Sequence, residues 1–83
     1  LQNYIYLCVK YKELLEIKRL NRIRVILAEQ NLKHKWLAEK LGKNQATISL
    51  WCNNVRQPSL ETLEEIAKVL NIDIRQFLNT TKD

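Results

Sequence analysis

Three observations predict an all-α domain for this chain. Its apolar residues recur at intervals of three and four, the spacing of amphipathic helices. Gly and Pro occur once each, so the punctuation that hairpins and β-sandwiches need is missing. The segment from Lys33 to Pro58, KHKWLAEKLGKNQATISLWCNNVRQP, spells two short helices joined at a single tight glycine. At 83 residues the chain is one domain, and chains this short bury only about 60–65% of their unfolded surface. One small helical core is the most it can hold. A hydrophobic fraction of 46% is ordinary for a globular chain and too high for a disordered one.

The elements follow in order. Leu20, Ile23 and Leu27 stand at i, i+3 and i+7 with Ile26 beside them, which predicts a first helix over about 21–30, ended by Asn31. A second, over about 34–41, keeps Leu37, Ala38 and Leu41 on one side. Gly42 follows its last apolar residue, where a left-handed C′ position costs glycine least. Asn44 offers its side-chain oxygen to the free N–H groups of a third helix, over about 45–53. That helix buries Ile48 and Trp51 and points Gln45, Ala46, Ser49 and Leu50 elsewhere. Asn54 takes the next turn, Asn being second only to Gly in left-handed geometry. Pro58-Ser59 opens a fourth helix, with Ser59 as N-cap and Glu61 in the first turn against the helix dipole. Its stripe is Leu60, Leu63, Ile66, Ala67 and Leu70. Asp73-Ile74-Arg75-Gln76 reads as a capping box starting a last short helix, with Phe77 and Leu78 inward. Residues 79–83 form a polar tail, and no internal repeat is visible.

Residues 1–18 stand apart. Tyr4, Ile5, Tyr6, Leu7 and Val9 are apolar and β-prone, while Tyr11 to Ile17 can extend the first helix backwards. A segment this apolar is not expected to remain a free tail; it is expected to pack on its own domain or on a second subunit. Trp36 lies off the Leu37/Leu41 stripe, either covered by that segment or partly exposed. Cys8 and Cys52 form no C-x-x-C pair; one disulfide between them stays open, but a small buried thiol is favoured for Cys52 beside Trp51. The longest apolar run, Tyr4 to Val9, is far short of the ~20 residues of a membrane span. No signal peptide is visible, so a reducing cytoplasm is the expected location. Met is absent even at position 1, so an untouched translation product is not expected.

Charge is unevenly spread. Residues 19–58 carry eight Lys or Arg against Glu29 and Glu39, whereas residues 59–83 carry three against five acidic residues. The basic excess therefore coincides with the two short helices, as an electrostatic footprint for phosphates does. For any single lysine the plainer alternative is a solvated surface group.

The landmarks LAEKLG, ATISLW and RQPSLETLEEIAKVLNI occur in one register without gaps. On these residues the segment from about Asn21 to Leu78 resembles the Cro/CI-type helix-turn-helix proteins of the lambda-repressor-like fold, the XRE family. The resemblance implies a compact five-helix lambda-repressor-like DNA-binding domain over residues 19–78, with residues 1–18 as an extra N-terminal segment. It implies that the helix around 45–53 enters the major groove of double-stranded DNA. Gln45 would hold the first outward position, where Gln can pair bidentately with adenine. Ala46 can touch a thymine methyl. Ser49 and Leu50 follow one turn on; Leu50 departs from the commoner polar choice and is expected to meet a thymine methyl or to read nothing. His34, where the family commonly has Gln, would contact a phosphate with Lys35, Lys43, Asn44, Thr47, Asn53 and Arg56 around both ends of the reading helix. Protonated His34 would bind phosphate more strongly, so tighter binding is expected near about pH 6 than near about pH 8. Many relatives place Arg at the position of Leu27 and Glu at that of Cys52, an ion pair. Both are apolar here, and replacing both partners avoids a stranded charge, so the two side chains are expected to touch.

Nothing in the sequence assembles an enzyme. One His and one Gly build neither a metal site nor a phosphate loop. Glu64 and Glu65 are adjacent and face different ways. The reading is a transcriptional regulator, a repressor without cofactor, binding a pseudo-palindromic operator as a homodimer whose reading helices sit about 34 Å apart. The sequence does not separate this from an antitoxin-type autorepressor with a cognate toxin. A protein-interaction module that kept the fold without DNA readout is the alternative from another class.

Overall fold

The computed structural model describes residues 19–82. The expectations for residues 1–18, including Cys8 and the covering of Trp36, lie outside the described residues. Four α-helices follow: α1 Ile23–Glu29, α2 His34–Leu41, α3 Gln45–Cys52 and α4 Leu60–Leu70, then a 3-10 turn over Ile74–Phe77. An isolated antiparallel bridge pairs Asn21 with Leu78.

Each boundary has a local cause. α1 starts two residues later than the apolar spacing alone predicts, because Asn21 is committed to the bridge and its Oδ1 accepts the Ile23 N–H at 3.1 Å. After α1, Asn31 is left-handed at φ 57°. Gly42 ends α2 at φ 64°, and the Lys43 amide returns to the Ala38 carbonyl at 2.9 Å. No atom lies within 4 Å of where a Cβ on Gly42 would stand, so the demand for glycine there is purely conformational. Asn44 caps α3, its Oδ1 accepting from the Ala46 amide at 2.7 Å. Ser59 caps α4, its Oγ accepting from the Thr62 amide at 3.1 Å, with Glu61 in the first turn.

The core is a single cluster. α1 contributes Ile23, Ile26 and Leu27, α2 contributes Leu37 and Ala38, α3 contributes Ile48, Trp51 and Cys52, and α4 contributes Leu63, Ile66, Ala67 and Leu70. Phe77 from the 3-10 turn completes it, fully buried. Its burial stabilises the fold by about 2–3 kcal/mol. α2 packs on both α3 and α4, α1 on α3, and the 3-10 turn on α4. Leu27 and Cys52 are both fully buried in this cluster on packed helices.

Three expectations need correction. Leu60 has the angle of the α4 stripe but is 69% exposed; it is the first residue of the helix, where side chains lean toward the N-terminus, past the core. Leu78 is 56% exposed rather than inward. The chain has turned extended there, at φ −106° and ψ 136°, and extended neighbours face opposite ways: Phe77 in, Leu78 out. The last helix is a 3-10 turn, and its capping is one-sided. Asp73 Oδ1 accepts the Arg75 amide at 2.8 Å and the Arg75 guanidinium at 3.1 Å, and those hydrogen bonds hold the Asp73 carboxyl below its ordinary range.

A polar knot closes the domain. Asn21 and Asn54 are both buried. Asn54 Oδ1 accepts the Leu20 amide at 3.0 Å and the Asn21 amide at 2.9 Å, and its Nδ2 donates to the Asn21 carbonyl at 3.2 Å. Asn21 Nδ2 donates to the Trp51 carbonyl at 2.9 Å and to Gln57 Oε1 at 2.7 Å. Asn79 Nδ2 donates to the Arg19 carbonyl at 2.8 Å. Among the described residues every buried side-chain nitrogen and oxygen has a partner, which is the condition for tolerating such groups inside.

Candidate nucleic-acid interface

α3 is buried on one side by Ile48, Trp51 and Cys52. At 3.6 residues per turn the arc opposite holds Ala46, Ser49, Leu50 and Asn53, with Gln45 and Thr47 on its flanks. Gln45, Ala46 and Asn53 are exposed, Thr47 and Ser49 half-buried, and Leu50 is 37% exposed. The four residues expected to read bases therefore share one outward surface. It carries no charge. Asn53 Nδ2 donates to Ser49 Oγ at 3.4 Å, so these two polar groups already lean on each other across one helical turn.

Basic residues stand before and after α3 in the chain. Lys35 and His34 open α2, Lys43 lies between α2 and α3, and Arg56 follows α3. The ion pairs among the described residues are Arg22–Glu29, Glu64–Lys68 and Asp73–Arg75; none uses Lys33, Lys35, Lys43 or Arg56. Lys33 stands at the N-cap of α2 without a capping hydrogen bond. The amides of the first turn there, those of His34 included, keep the orphan character of a helix start at the positive end of the helix dipole. Asn44 spends its oxygen on capping α3, which leaves its Nδ2 as the donor for an outside group. Lys40 lies 5.7 Å from the Trp36 ring centroid, a cation–π distance, and Trp36 itself is half-buried against the core edge.

Cys52 needs no chemical role. Its thiol is fully buried, and desolvation pushes its pKa from 9.0 up to about 11 against a smaller lowering by Arg24. Among the described residues no group of His, Cys, Asp and Glu has the arrangement to hold a metal ion, and no helix is long and apolar enough to cross a membrane.

The residues that sequence reasoning missed are Asn21 and Gln57, which hold the loop after α3. The signal was present in Asn54, a left-handed turn residue second only to Gly. Turn geometry alone accounts for an Asn there, yet its side chain is the centre of the knot.

A family described as helix-turn-helix matches residues 23–77. Among solved structures, the crystal structure of a protein from Bacteroides fragilis, described as a putative DNA-binding protein, superposes with a TM-score of 0.71. It is 53% identical, and the match covers 72% of this chain and 97% of that one. No curated protein matches the chain. The family match runs from the first residue of α1 to the last of the 3-10 turn, so it takes in the left-handed Gly42 turn, the capped α3 and the core alike: the chain belongs to the Cro/CI-type (XRE) helix-turn-helix family.

Proposed function

We propose that this protein is a sequence-specific DNA-binding transcription regulator, a repressor that occupies a pseudo-palindromic operator as a homodimer. The observation that carries the reading is the outward arc of α3, which carries no charge and offers Gln45, Ser49 and Asn53 as hydrogen-bonding groups beside Ala46 and Leu50, with Lys35, Lys43 and Arg56, free of ion pairs among the described residues, before and after it in the chain. A solvated helix face is ordinarily charged; a face of this kind suits base edges, with phosphates held at its rim. The Bacteroides fragilis relative, described as DNA-binding, supports the same conclusion. In this reading Gln45, Ala46, Ser49 and Leu50 read bases. His34, Lys35, Lys43, Asn44, Thr47, Asn53 and Arg56 contact phosphates. No cofactor takes part, and the protein works in the cytoplasm where the DNA is. An antitoxin acting on its own operon fits the same surface, and co-purification of a toxin from the native host distinguishes it.

The test is selection from a random duplex library, then titration of the selected duplex across salt concentrations. Enrichment of a two-fold symmetric site, a steep salt slope and loss of preference in Gln45→Ala support the reading. Weak binding to any duplex without enrichment refutes it and leaves the protein-interaction module, for which the exposed Leu50 and Val55 supply an apolar surface.

A further inference from the structure

We propose that Asn54, together with Asn21 and Gln57, is a positioning device for Arg56, holding that side chain against a DNA phosphate at the exit of the reading helix. The proposal rests on the DNA-binding reading and adds residues that this reading does not include. Asn54 sits at φ 59°, as Asn31 and Asn71 sit at φ 57° and 56°, but it differs from them in the bonds its side chain makes. Its oxygen accepts three hydrogen bonds, from the Leu20 and Asn21 amides and from Gln57 Nε2 at 3.1 Å, and its amide donates a fourth to the Asn21 carbonyl. Gln57 turns back into the same knot, its Oε1 accepting from Asn21 Nδ2 at 2.7 Å.

Val55 and Arg56 stand between these two anchors, both exposed. The amides of both return to one acceptor, the Leu50 carbonyl of α3, at 3.0 and 3.3 Å. The backbone of Arg56 is thus fixed to the reading helix by its own amide, and to the chain leading into α1 through its neighbours at 54 and 57. A long cation on a fixed backbone loses less freedom on binding than the same cation on a loose loop. Glycine at 54 satisfies the turn and removes all four side-chain bonds, so the geometry separates the two jobs of that position.

The experiment is a double-mutant cycle of Asn54→Gly and Arg56→Ala, read as affinity and salt slope on the selected duplex. Circular dichroism verifies that each variant is folded at the assay temperature. Arg56→Ala is expected to weaken binding roughly three- to tenfold and to lower the salt slope by about one. Asn54→Gly is expected to lose most of the same affinity and slope, and the double variant to bind no worse than Arg56→Ala alone. A merely structural role for Asn54 lowers the melting temperature but leaves the salt slope of the folded protein unchanged. Independent, additive losses overturn the proposal, as does an unchanged slope in either single variant. Where Asn54→Gly fails to fold, Gln57→Ala replaces it in the cycle with the same two outcomes. Failure of the library selection sinks the DNA reading itself, whereas selection of an operator with an unchanged Arg56→Ala slope sinks this inference alone.

Discussion

Cys52→Glu places a carboxylate where the side chain has no contact with solvent. Position 52 is fully buried, Leu27 is 1% exposed, and the surrounding cluster is apolar. An unpaired charge in such a place typically costs 3–5 kcal/mol. The field of Arg24 reaches this site, since it opposes the rise in the Cys52 pKa, so the lower end, about 3 kcal/mol, is expected. Domains of this length are stable by only about 4–12 kcal/mol, and each kcal/mol moves the melting temperature by about 4–8 °C. A drop of about 12–24 °C at pH 7 is therefore expected. Burial raises the pKa of the new carboxyl, so its penalty shrinks as pH falls toward its unfolded value of about 4.3. The gap between variant and parent should narrow between pH 7 and pH 5. Adding Leu27→Arg rebuilds the ion pair of the wider family and should recover part of the loss. Thermal melts of the parent, both single variants and the double variant at the two pH values decide it. A Cys52→Glu melt within about 2 °C of the parent refutes the buried site; a double variant no better than the worse single refutes the pairing of positions 27 and 52.

Three further outcomes are expected. Gly42→Ala should cost about 1–2 kcal/mol through its left-handed backbone alone, and Gly42→Asn clearly less; equal losses in denaturant titrations would point to a steric demand that the open space around Gly42 does not supply. Ser59→Ala removes the acceptor for the Thr62 amide and should cost about 1 kcal/mol, measured as a lower melting temperature. The Cys52 thiol stays protonated to about 11 when folded but ionises near 9.0 when exposed. Below the lower value both states are protonated and pH has no effect through this group. As pH rises through the window the unfolded state alone loses its proton, so stability falls by about 2–3 kcal/mol. A Cys52→Ala variant should lack that component, and an identical slope in parent and variant would remove the assignment.

Most of the fold was legible because its determinants are local. The left-handed turn at Gly42, the Asn44 and Ser59 caps and the periodic stripes are each written within four or five neighbouring residues, and each formed where its pattern stands. What failed lay at element ends. Leu60 matches the α4 stripe by angle, but whether a first-turn residue reaches the core depends on where the neighbouring helices stop. Leu78 continues the helical pattern in sequence, but in the structure it pairs with Asn21, 57 positions away, and the chain is extended there. The outward arc of α3 was legible for the same local reason: burying Ile48, Trp51 and Cys52 fixes which residues remain.

Asn54 shows the limit more sharply, because two physical demands converge on one residue and only one of them is local. The left-handed turn is a property of the chain on either side and selects Gly or Asn. The hydrogen bonds to Leu20, Asn21 and Gln57 depend on the start and the end of the motif meeting in space. From the sequence, Asn there is simply the second-best turn residue. From the structure, glycine would serve the turn better and leave the Leu20 and Asn21 amides without their acceptor, a loss of about 1–3 kcal/mol for each buried group left unsatisfied. The strain is small beside that. The Asn54 side chain ties the entry to α1 to the exit from α3.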